Sequence, residues 1–238
     1  PWWTPGEAHG YHTNTFGFLV GEPVCRVRDT SFDRALVELT TGPAGADDFF
    51  IGLPSSEHDR CAEMDVFGID AAELAPQPEE GDEHSLLARN AYFNPRTMSG
   101  MGVVDTAPWR EAMVPSTNGH ATARSVAAFY AALLPSAGDR RLLSDALLRE
   151  ATSVQADGVD RVLGRPSRFG LGFMLHQDGR PIGISSASFG HFGYGGSLGF
   201  ADPAADVAFA YLISRPGDRW QMPRTRRLLA ALSSLAQR

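Results

Sequence analysis

Residues 186–214 decide the fold, and they read SASFGHFGYGGSLGFADPAADVAFAYLIS. The pattern predicts three strands, over 186–193, 196–201 and 206–214, because apolar residues recur between clusters of turn-forming glycine, aspartate and proline. The turn at 202–206 joins the last two strands. The last strand is apolar at nearly every position, so both of its faces are expected to be covered.

The elements on either side of this stretch extend the sheet and cover it. Alternating apolar residues from Phe169 to Leu175 predict a further strand. The sequence His176-Gln177-Asp178-Gly179 predicts a turn after that strand. Leucines at helical spacing, from Leu228 to Leu235, predict an amphipathic helix that closes the chain.

Two helices are predicted near the start of the chain. Apolar residues at helical spacing over 16–24 predict the first, which Pro23 should kink or end. The second is predicted to start at an N-cap Ser31 and to stop at Gly42 and Pro43.

Further helices precede the sheet. One is predicted over 126–133 and ends at Pro135, and another starts at an N-cap Ser144. Helices followed by an antiparallel sheet and a covering helix predict an α+β fold. We expect a helical and loop-rich region over 1–120, which carries a tyrosine motif, and the C-terminal part of an α/β domain over 121–238.

The composition limits the class of partner. The net charge is −7, which argues against a nucleic-acid partner. The basic residues are all arginine, and their densest cluster, Arg224, Arg226 and Arg227, is interpreted as a solvated helix face. No apolar run reaches the length of a membrane span. Cys25 and Cys61 are too few for a disulfide framework and are expected to be free.

The glycine-rich segment 190–197 is the first candidate for chemistry. Glycines at a strand end let another backbone or a substrate approach closely. His191 precedes most of these glycines and could bind a substrate or hold a proton there. The alternative is a tight hairpin in which His191 has only a structural partner.

The same segment contains a G-x-S-x-G match, Gly195 to Gly199, that would make Ser197 a nucleophile of the α/β-hydrolase type. That motif requires a helix after the serine and a histidine later in the chain. A strand is predicted after Ser197, and all seven histidines precede it, so the sequence argues against this assignment.

The second candidate segment is Gly10-Tyr11-His12-Thr13-Asn14, just before the first helix. A free tyrosine has a pKa of about 10 and becomes a useful base only when a nearby cation lowers that pKa. The chain contains no lysine to supply the cation, so a packed loop tyrosine is the alternative. His9 and His12 lack the glutamate and third ligand of a zinc site, and no metal site is predicted.

Taken together and in order, several segments resemble the class C β-lactamase-like serine hydrolases, a family that includes relatives of penicillin-binding proteins and EstB-type esterases. The resemblance covers essentially the whole chain. The segments that carry it are Trp3 to Gly6 with Tyr11-His12, Gly21-Glu22, Phe50 to Pro54, Pro115 to Ser125, and Phe189 to Gly196 followed by Asp202-Pro203.

This resemblance implies a β-lactamase/transpeptidase-like fold and assigns roles to matching residues. Such enzymes use a Ser-x-x-Lys, a Tyr-x-Asn, and a Lys-Thr-Gly or His-x-Gly strand. Tyr11 matches the tyrosine that acts as general base and acid, and His191 begins the strand motif. Thr13, Gly193 and Tyr194 match substrate-binding positions, with the Tyr194 backbone N–H as one oxyanion donor. Thr13 replaces the usual asparagine, which favours the esterase-like branch over β-lactam hydrolysis.

The Ser-x-x-Lys is the part that the chain lacks, because it contains no lysine. In the family this motif lies upstream of the tyrosine. We therefore expect an N-terminally truncated chain without the N-terminal strands and the nucleophile helix, and inactive by itself. A strand over 206–214 would then have one unpaired edge.

The function that the resemblance implies is that of a serine hydrolase. It would act on small-molecule ester or amide substrates, a class that includes β-lactams, through an acyl-enzyme and without a cofactor. One alternative is a non-catalytic β-lactamase-like binding protein. The other is an α/β-hydrolase that uses Ser197.

Overall fold

The computed structural model describes residues 1–65, 83–95, 98, 102–193, 195–217 and 223–236. The chain forms two compact units. The first unit comprises Pro1–Ala35, Phe50–His120 and Gly158–Ser167, and the second comprises Leu36–Phe49, Ala121–Asp157 and Arg168–Arg238. The predicted division into 1–120 and 121–238 stays a prediction.

The described elements are helices and short strands, with most of the helices before the last six strands. The α-helices are α1 (Phe16–Arg28), α2 (Phe32–Leu36), α3 (Gly42–Ala44), α4 (Glu83–Phe93), α5 (Ala107–Glu111), α6 (Ala123–Ala131), α7 (Asp145–Ala151) and α8 (Pro223–Ala236). The strands are β1 (Phe49–Ile51), β2 (Gly119–Ala121), β3 (Ala156–Asp160), β4 (Arg165–Phe169), β5 (Met174–Leu175), β6 (Phe189–Phe192), β7 (Leu198–Asp202) and β8 (Val207–Tyr211). A π-helix covers Val37–Thr41, and 3₁₀ segments cover Ser55–Arg60 and Pro135–Arg140.

Helix α1 continues through Pro23, so it does not end at that residue, and the predicted kink stays a prediction. The helix ends instead at Asp29, whose φ of 50° is left-handed. Proline removes one intrahelical hydrogen bond and frees the carbonyl of Leu19. Leu19 is exposed, so water can satisfy that carbonyl.

The predicted stop at Gly42 and Pro43 is also wrong. A π-helical turn follows α2, and α3 then contains both residues. Pro43 lies in the first turn of α3, where a missing N–H costs nothing. The end comes at Gly45, which takes a left-handed φ of 66°.

The described strands of the larger sheet lie in the order β3-β4-β5-β6-β7-β8. Each pair of neighbouring strands from β4 to β8 is antiparallel. The predicted strands over 186–193, 196–201 and 206–214 are confirmed as β6, β7 and β8. With helices before and after the sheet, the α+β prediction is confirmed.

The single strand predicted from Phe169 to Leu175 is wrong, because the segment folds back on itself. Phe169 ends β4 and pairs with Met174 at the start of β5. Between them, the Gly170 N–H donates to the Phe173 carbonyl at 2.9 Å, and Gly172 takes a φ of 84°. The two glycines allow a tight turn that the alternating apolar pattern conceals.

Helix α6 packs on the sheet within the second unit. Tyr130 and Leu133 belong to one buried cluster with Phe189 and Ala201. The approach is close, since a Cβ on Gly199 would lie 2.4 Å from Cε2 of Tyr130. The predicted helix over 126–133 is thus confirmed over 126–131, as part of α6, and Leu133 lies just after the helix ends.

Helix α7 begins where its capping residue was predicted. The Ser144 hydroxyl accepts a hydrogen bond from the Leu147 N–H at 3.3 Å, so Ser144 is the N-cap. An N-cap side chain satisfies one of the N–H groups that the first helical turn leaves unpaired.

Strand β8 lies at the edge of the sheet. Among the described strands it pairs only with β7, as the prediction of an unpaired edge required. All five of its residues are half-buried, so both of its faces are covered in part. Backbone groups at such an edge are available to another strand.

Candidate active site

Tyr11 lies in an irregular loop before α1, and a buried carboxylate holds its backbone. The Tyr11 N–H donates to Asp160 Oδ1 at 3.1 Å. The same oxygen accepts the N–H groups of Val162 and Leu163, each at 2.9 Å. The other oxygen accepts the Ser167 hydroxyl at 3.2 Å. Asp160 is 1% exposed, so its charge is stabilised by these donors rather than by water.

The residues before Tyr11 contact the segment 161–167, which follows Asp160. The His9 carbonyl accepts the Arg161 N–H at 3.1 Å, and His9 Nε2 lies 3.0 Å from Ser167 Oγ. Gly10 packs so closely that a Cβ there would lie 2.6 Å from the Trp3 ring. The Arg161 guanidinium covers that ring at 5.1 Å, in the geometry of a cation–π contact.

The surroundings of Tyr11 oppose ionisation of its phenol. Burial raises the pKa of Tyr11 well above its usual range, and the nearby Tyr92 and Asp160 raise it further. Arg165 lowers this pKa but does not outweigh the burial. Tyr11 is therefore a protonated phenol at neutral pH in this chain. Arg165 is a cation near Tyr11 that the local sequence does not indicate, because it lies far from Tyr11 along the chain.

Thr13 and Asn14 have different surroundings. Asn14 is 3% exposed, and its side chain accepts from Thr117 Oγ1 at 2.8 Å and donates to the carbonyls of Ala91 and Tyr92 at 3.3 and 3.2 Å. These contacts make Asn14 a structural bridge. Thr13 is half-buried, and its hydroxyl has no hydrogen-bond partner among the described residues.

The two histidines near Tyr11, His9 and His12, each have a hydrogen-bond partner. His9 bonds to Ser167, and His12 Nδ1 lies 2.8 Å from the Gly10 carbonyl. Within the described residues, no group of three or more His, Cys, Asp or Glu side chains could hold a metal ion.

His191 lies on β6 in the second unit, opposite Gly199 of β7. Its ring is half-buried, with its centroid 6.4 Å from that of Phe169. Burial lowers the pKa of His191 to about 4, although a hydrogen bond with the Phe192 backbone acts in the opposite direction. The imidazole is therefore neutral at pH 7, with one nitrogen that donates and one that accepts.

The glycines after β6 form a tight turn. The Gly193 N–H donates to the Ser197 carbonyl at 2.7 Å, and the Gly196 N–H donates to the Gly193 carbonyl at 3.2 Å. Gly195 and Gly196 take φ angles of 82° and 114°, which side chains rarely allow. Tyr194, the predicted oxyanion donor, lies outside the described residues.

The geometry of Ser197 does not fit a nucleophile elbow. Strand β7 begins at Leu198, directly after the serine, whereas the elbow requires a helix there. The Ser197 hydroxyl accepts the Ile213 N–H at 3.3 Å. This contact gives Ser197 a structural role in the second unit.

The structure thus places Tyr11 and Thr13 in the first unit, and His191 and Gly193 in the second. A helix-flanked antiparallel sheet with a His-x-Gly strand, together with an anchored tyrosine before a helix, is typical of β-lactamase-type hydrolases. The sequence model of the family described as Beta-lactamase matches residues 1–233, and the chain belongs to this family.

Named relatives agree with this assignment. The chain is 31% identical over 222 residues to the "Esterase/beta-lactamase LipL" of Mycobacterium tuberculosis, across 89% of this chain and 50% of that protein. A penicillin-binding protein homologue from Caulobacter crescentus is 36% identical, with a TM-score of 0.78 over 96% of this chain and 59% of its own. A family VIII carboxylesterase is 32% identical, with a TM-score of 0.76 over 99% of this chain and 60% of its own.

These likenesses confirm the predicted β-lactamase/transpeptidase-like fold. The chain spans half the length of the curated relative and about three fifths of the two solved structures. No helix within the described ranges is long and apolar enough to cross a membrane.

Proposed function

We propose that the protein to which this chain belongs hydrolyses small-molecule esters or amides through an acyl-enzyme, with Tyr11 as general base and acid. The observation that carries the proposal is the anchored Tyr11, whose backbone is held by a carboxylate that is 1% exposed. A proton-transferring group must be held within hydrogen-bonding reach of the atom it serves, and a fixed loop supplies that constraint.

The high pKa of Tyr11 defines what the rest of the active site must supply. Burial keeps the phenol protonated, and Arg165 alone does not reverse this effect. A lysine ammonium beside the phenol would favour the phenolate, as expected for the lysine of a Ser-x-x-Lys. The 238 residues contain no lysine, so this motif cannot lie within them. We therefore assign the activity to the protein that carries both parts, and expect these 238 residues alone to be inert.

His191, Gly193 and Tyr194 are proposed to contact the substrate. A neutral imidazole, which the low pKa of His191 ensures, can donate to or accept from a polar substrate group. Gly193 follows directly after the end of β6. The Tyr194 backbone N–H is the proposed oxyanion donor, and loss of one such donor has cost about 10²–10³ in rate elsewhere.

Thr13 favours esters over β-lactams as substrates. An asparagine in this position offers both an amide donor and a carbonyl acceptor, whereas threonine offers a shorter hydroxyl. The Thr13 hydroxyl is buried and has no hydrogen-bond partner within the described residues.

A test of this function compares single substitutions in the protein that contains the Ser-x-x-Lys and this chain. Tyr11→Phe should lower kcat for p-nitrophenyl esters by at least about 10²-fold, the usual contribution of general acid–base catalysis. The matched control is Tyr211→Phe on β8, which removes a hydroxyl from another half-buried tyrosine and should leave kcat unchanged. If the wild type hydrolyses the ester and Tyr11→Phe has the same kcat, the role of Tyr11 is refuted.

The absence of lysine also supports a second function, a non-catalytic binding protein. A fluorophosphonate probe separates the two, since it labels an activated serine and the adduct is located by mass spectrometry. Labelling of the Ser-x-x-Lys serine supports the hydrolase. An unlabelled full-length protein without turnover of esters, amides or β-lactams supports the binding protein. Turnover by the 238 residues alone, abolished in Ser197→Ala, would revive the α/β-hydrolase.

A further inference from the structure

Asp160 connects two segments that are far apart in the chain. Two of its donors, the N–H groups of Val162 and Leu163, come from the turn that Asp160 itself begins. Such bonds are common for an aspartate at the start of a turn. The third donor, the Tyr11 N–H, lies 149 residues away in the sequence. This last bond is not needed to form the turn.

We propose that Asp160 is a positioning residue for Tyr11, which sets the place of the phenol through its hydrogen bond to the Tyr11 backbone. The inference rests on the proposed function, in which Tyr11 transfers protons. Tyr11 precedes α1, so no regular hydrogen-bond ladder defines its position. Its location depends on tertiary contacts, and the bond to Asp160 is the one made by Tyr11's own N–H.

The orientation of the hydrogen bonds behind Asp160 follows from their donors. The Ser167 hydroxyl has a single proton, which it donates to Asp160 Oδ2. Ser167 Oγ must therefore accept from His9 Nε2, which lies 3.0 Å away and carries its proton. The hydrogen bonds thus run from His9 to Ser167 and from Ser167 to Asp160. They hold His9 by its side chain, and Asp160 holds Tyr11 by its backbone N–H.

The charge of Asp160 argues that its contribution is geometric. A carboxylate near Tyr11 raises the pKa of the phenol, which opposes formation of the phenolate. Asp160 therefore does not activate Tyr11 electrostatically. Its benefit lies in placement, and a displacement of about 1 Å in a reacting group can cost about 10²-fold in rate.

The test uses the full-length protein with its Ser-x-x-Lys and two substitutions of one residue. Asp160→Ala removes the acceptor and should lower kcat about 10–100-fold with KM changed less than about threefold, because the loss falls on the transition state. Asp160→Asn keeps an oxygen for the three N–H donors and should hold kcat within about threefold. Its pH profile should also shift, with the acid limb at lower pH, since the charge that raises the pKa of Tyr11 is gone.

Ser144→Ala is the matched control for lost stability. It removes the N-cap of α7 in the second unit and should lower the urea midpoint of unfolding without a change in kcat. Hydrogen exchange of the peptide over 9–13 supplies a readout independent of activity. Asp160→Ala should speed exchange of the Tyr11 amide, whereas Asp160→Asn should not.

Each outcome decides the proposal. An unchanged kcat in a folded Asp160→Ala variant with a fast-exchanging Tyr11 amide overturns it. If Asp160→Asn lowers kcat as much as Tyr11→Phe does, the proposal is also overturned. This comparison decides the proposal if Asp160→Ala does not fold. An unaffected Tyr11→Phe variant refutes the proposed function itself, which separates that failure from a failure of the positioning role.

Discussion

Replacing Asp202 with alanine should lower the free energy of unfolding of this chain by about 3–6 kcal/mol at neutral pH. Asp202 is 0% exposed and accepts the hydroxyls of Ser185 at 2.9 Å and Ser188 at 2.6 Å. It also accepts the backbone N–H groups of Ser185, Ala204 and Ala205 at 2.7, 3.0 and 3.1 Å. A hydrogen bond to a charged group contributes about 1.5–3 kcal/mol, and the bonds from the two hydroxyls supply the stated loss.

The pH dependence of this effect follows from the pKa of Asp202. Burial would raise that pKa, but hydrogen bonds, first from Ser188 and Ser185, outweigh the burial and hold it below its usual range. The folded pKa thus lies below the unfolded value of about 3.9. The stability from Asp202 is fully present above about pH 4 and is lost as pH falls through the folded pKa.

Urea unfolding followed by circular dichroism, at several pH values from neutral to acidic, measures both effects. The control is Asp178→Ala, whose carboxylate is fully exposed and whose loss should leave the free energy of unfolding unchanged. The difference between wild type and Asp202→Ala should shrink below about pH 4. A loss under about 1 kcal/mol at neutral pH, or a difference that grows on acidification, would refute the reasoning.

Three further predictions concern the second unit. Gly190→Ala should lower the free energy of unfolding by at least about 2 kcal/mol, because its Cβ would lie 2.1 Å from the Gly199 carbonyl oxygen. Gly179→Ala is the control: its Cβ would meet no described atom within 4 Å, so it should unfold like wild type in the same urea series. The His191 ring should titrate near pH 4 by NMR, because burial lowers its pKa. Its contribution to stability should be complete above about pH 6.5 and be lost as pH falls toward 4. A titration midpoint above about pH 6 would contradict the burial argument. The unpaired edge of β8 should make the 238 residues self-associate with rising concentration in sedimentation velocity, and a monomer at every concentration would rule this out.

Local patterns predicted the elements that depend on neighbouring residues. The strands β6, β7 and β8 follow from apolar runs between turns, and the N-cap Ser144 from its position before α7. The wrong predictions come from residues whose effect depends on context. Pro23 is tolerated because α1 is largely exposed, and the alternation after Phe169 is broken by a turn.

Some residues of the candidate site could also be predicted from the sequence, and others could not. Tyr11 and His191 were found because each lies within a short segment that resembles a family motif. Asp160 and Arg165 carry no such signal. They act on Tyr11 from about 150 residues away, and only the fold brings them near it.

By itself, the sequence determined that these residues contain a tyrosine segment and a His-x-Gly segment that resemble motifs of the β-lactamase family, but no lysine and hence no Ser-x-x-Lys. No fold can alter that composition. Only the tertiary structure decided that Tyr11 is held by Asp160 with its pKa raised, and that the pKa of His191 falls to about 4. Desolvation and long-range hydrogen bonds depend on what packs around a group, and neighbours along the chain do not specify that packing.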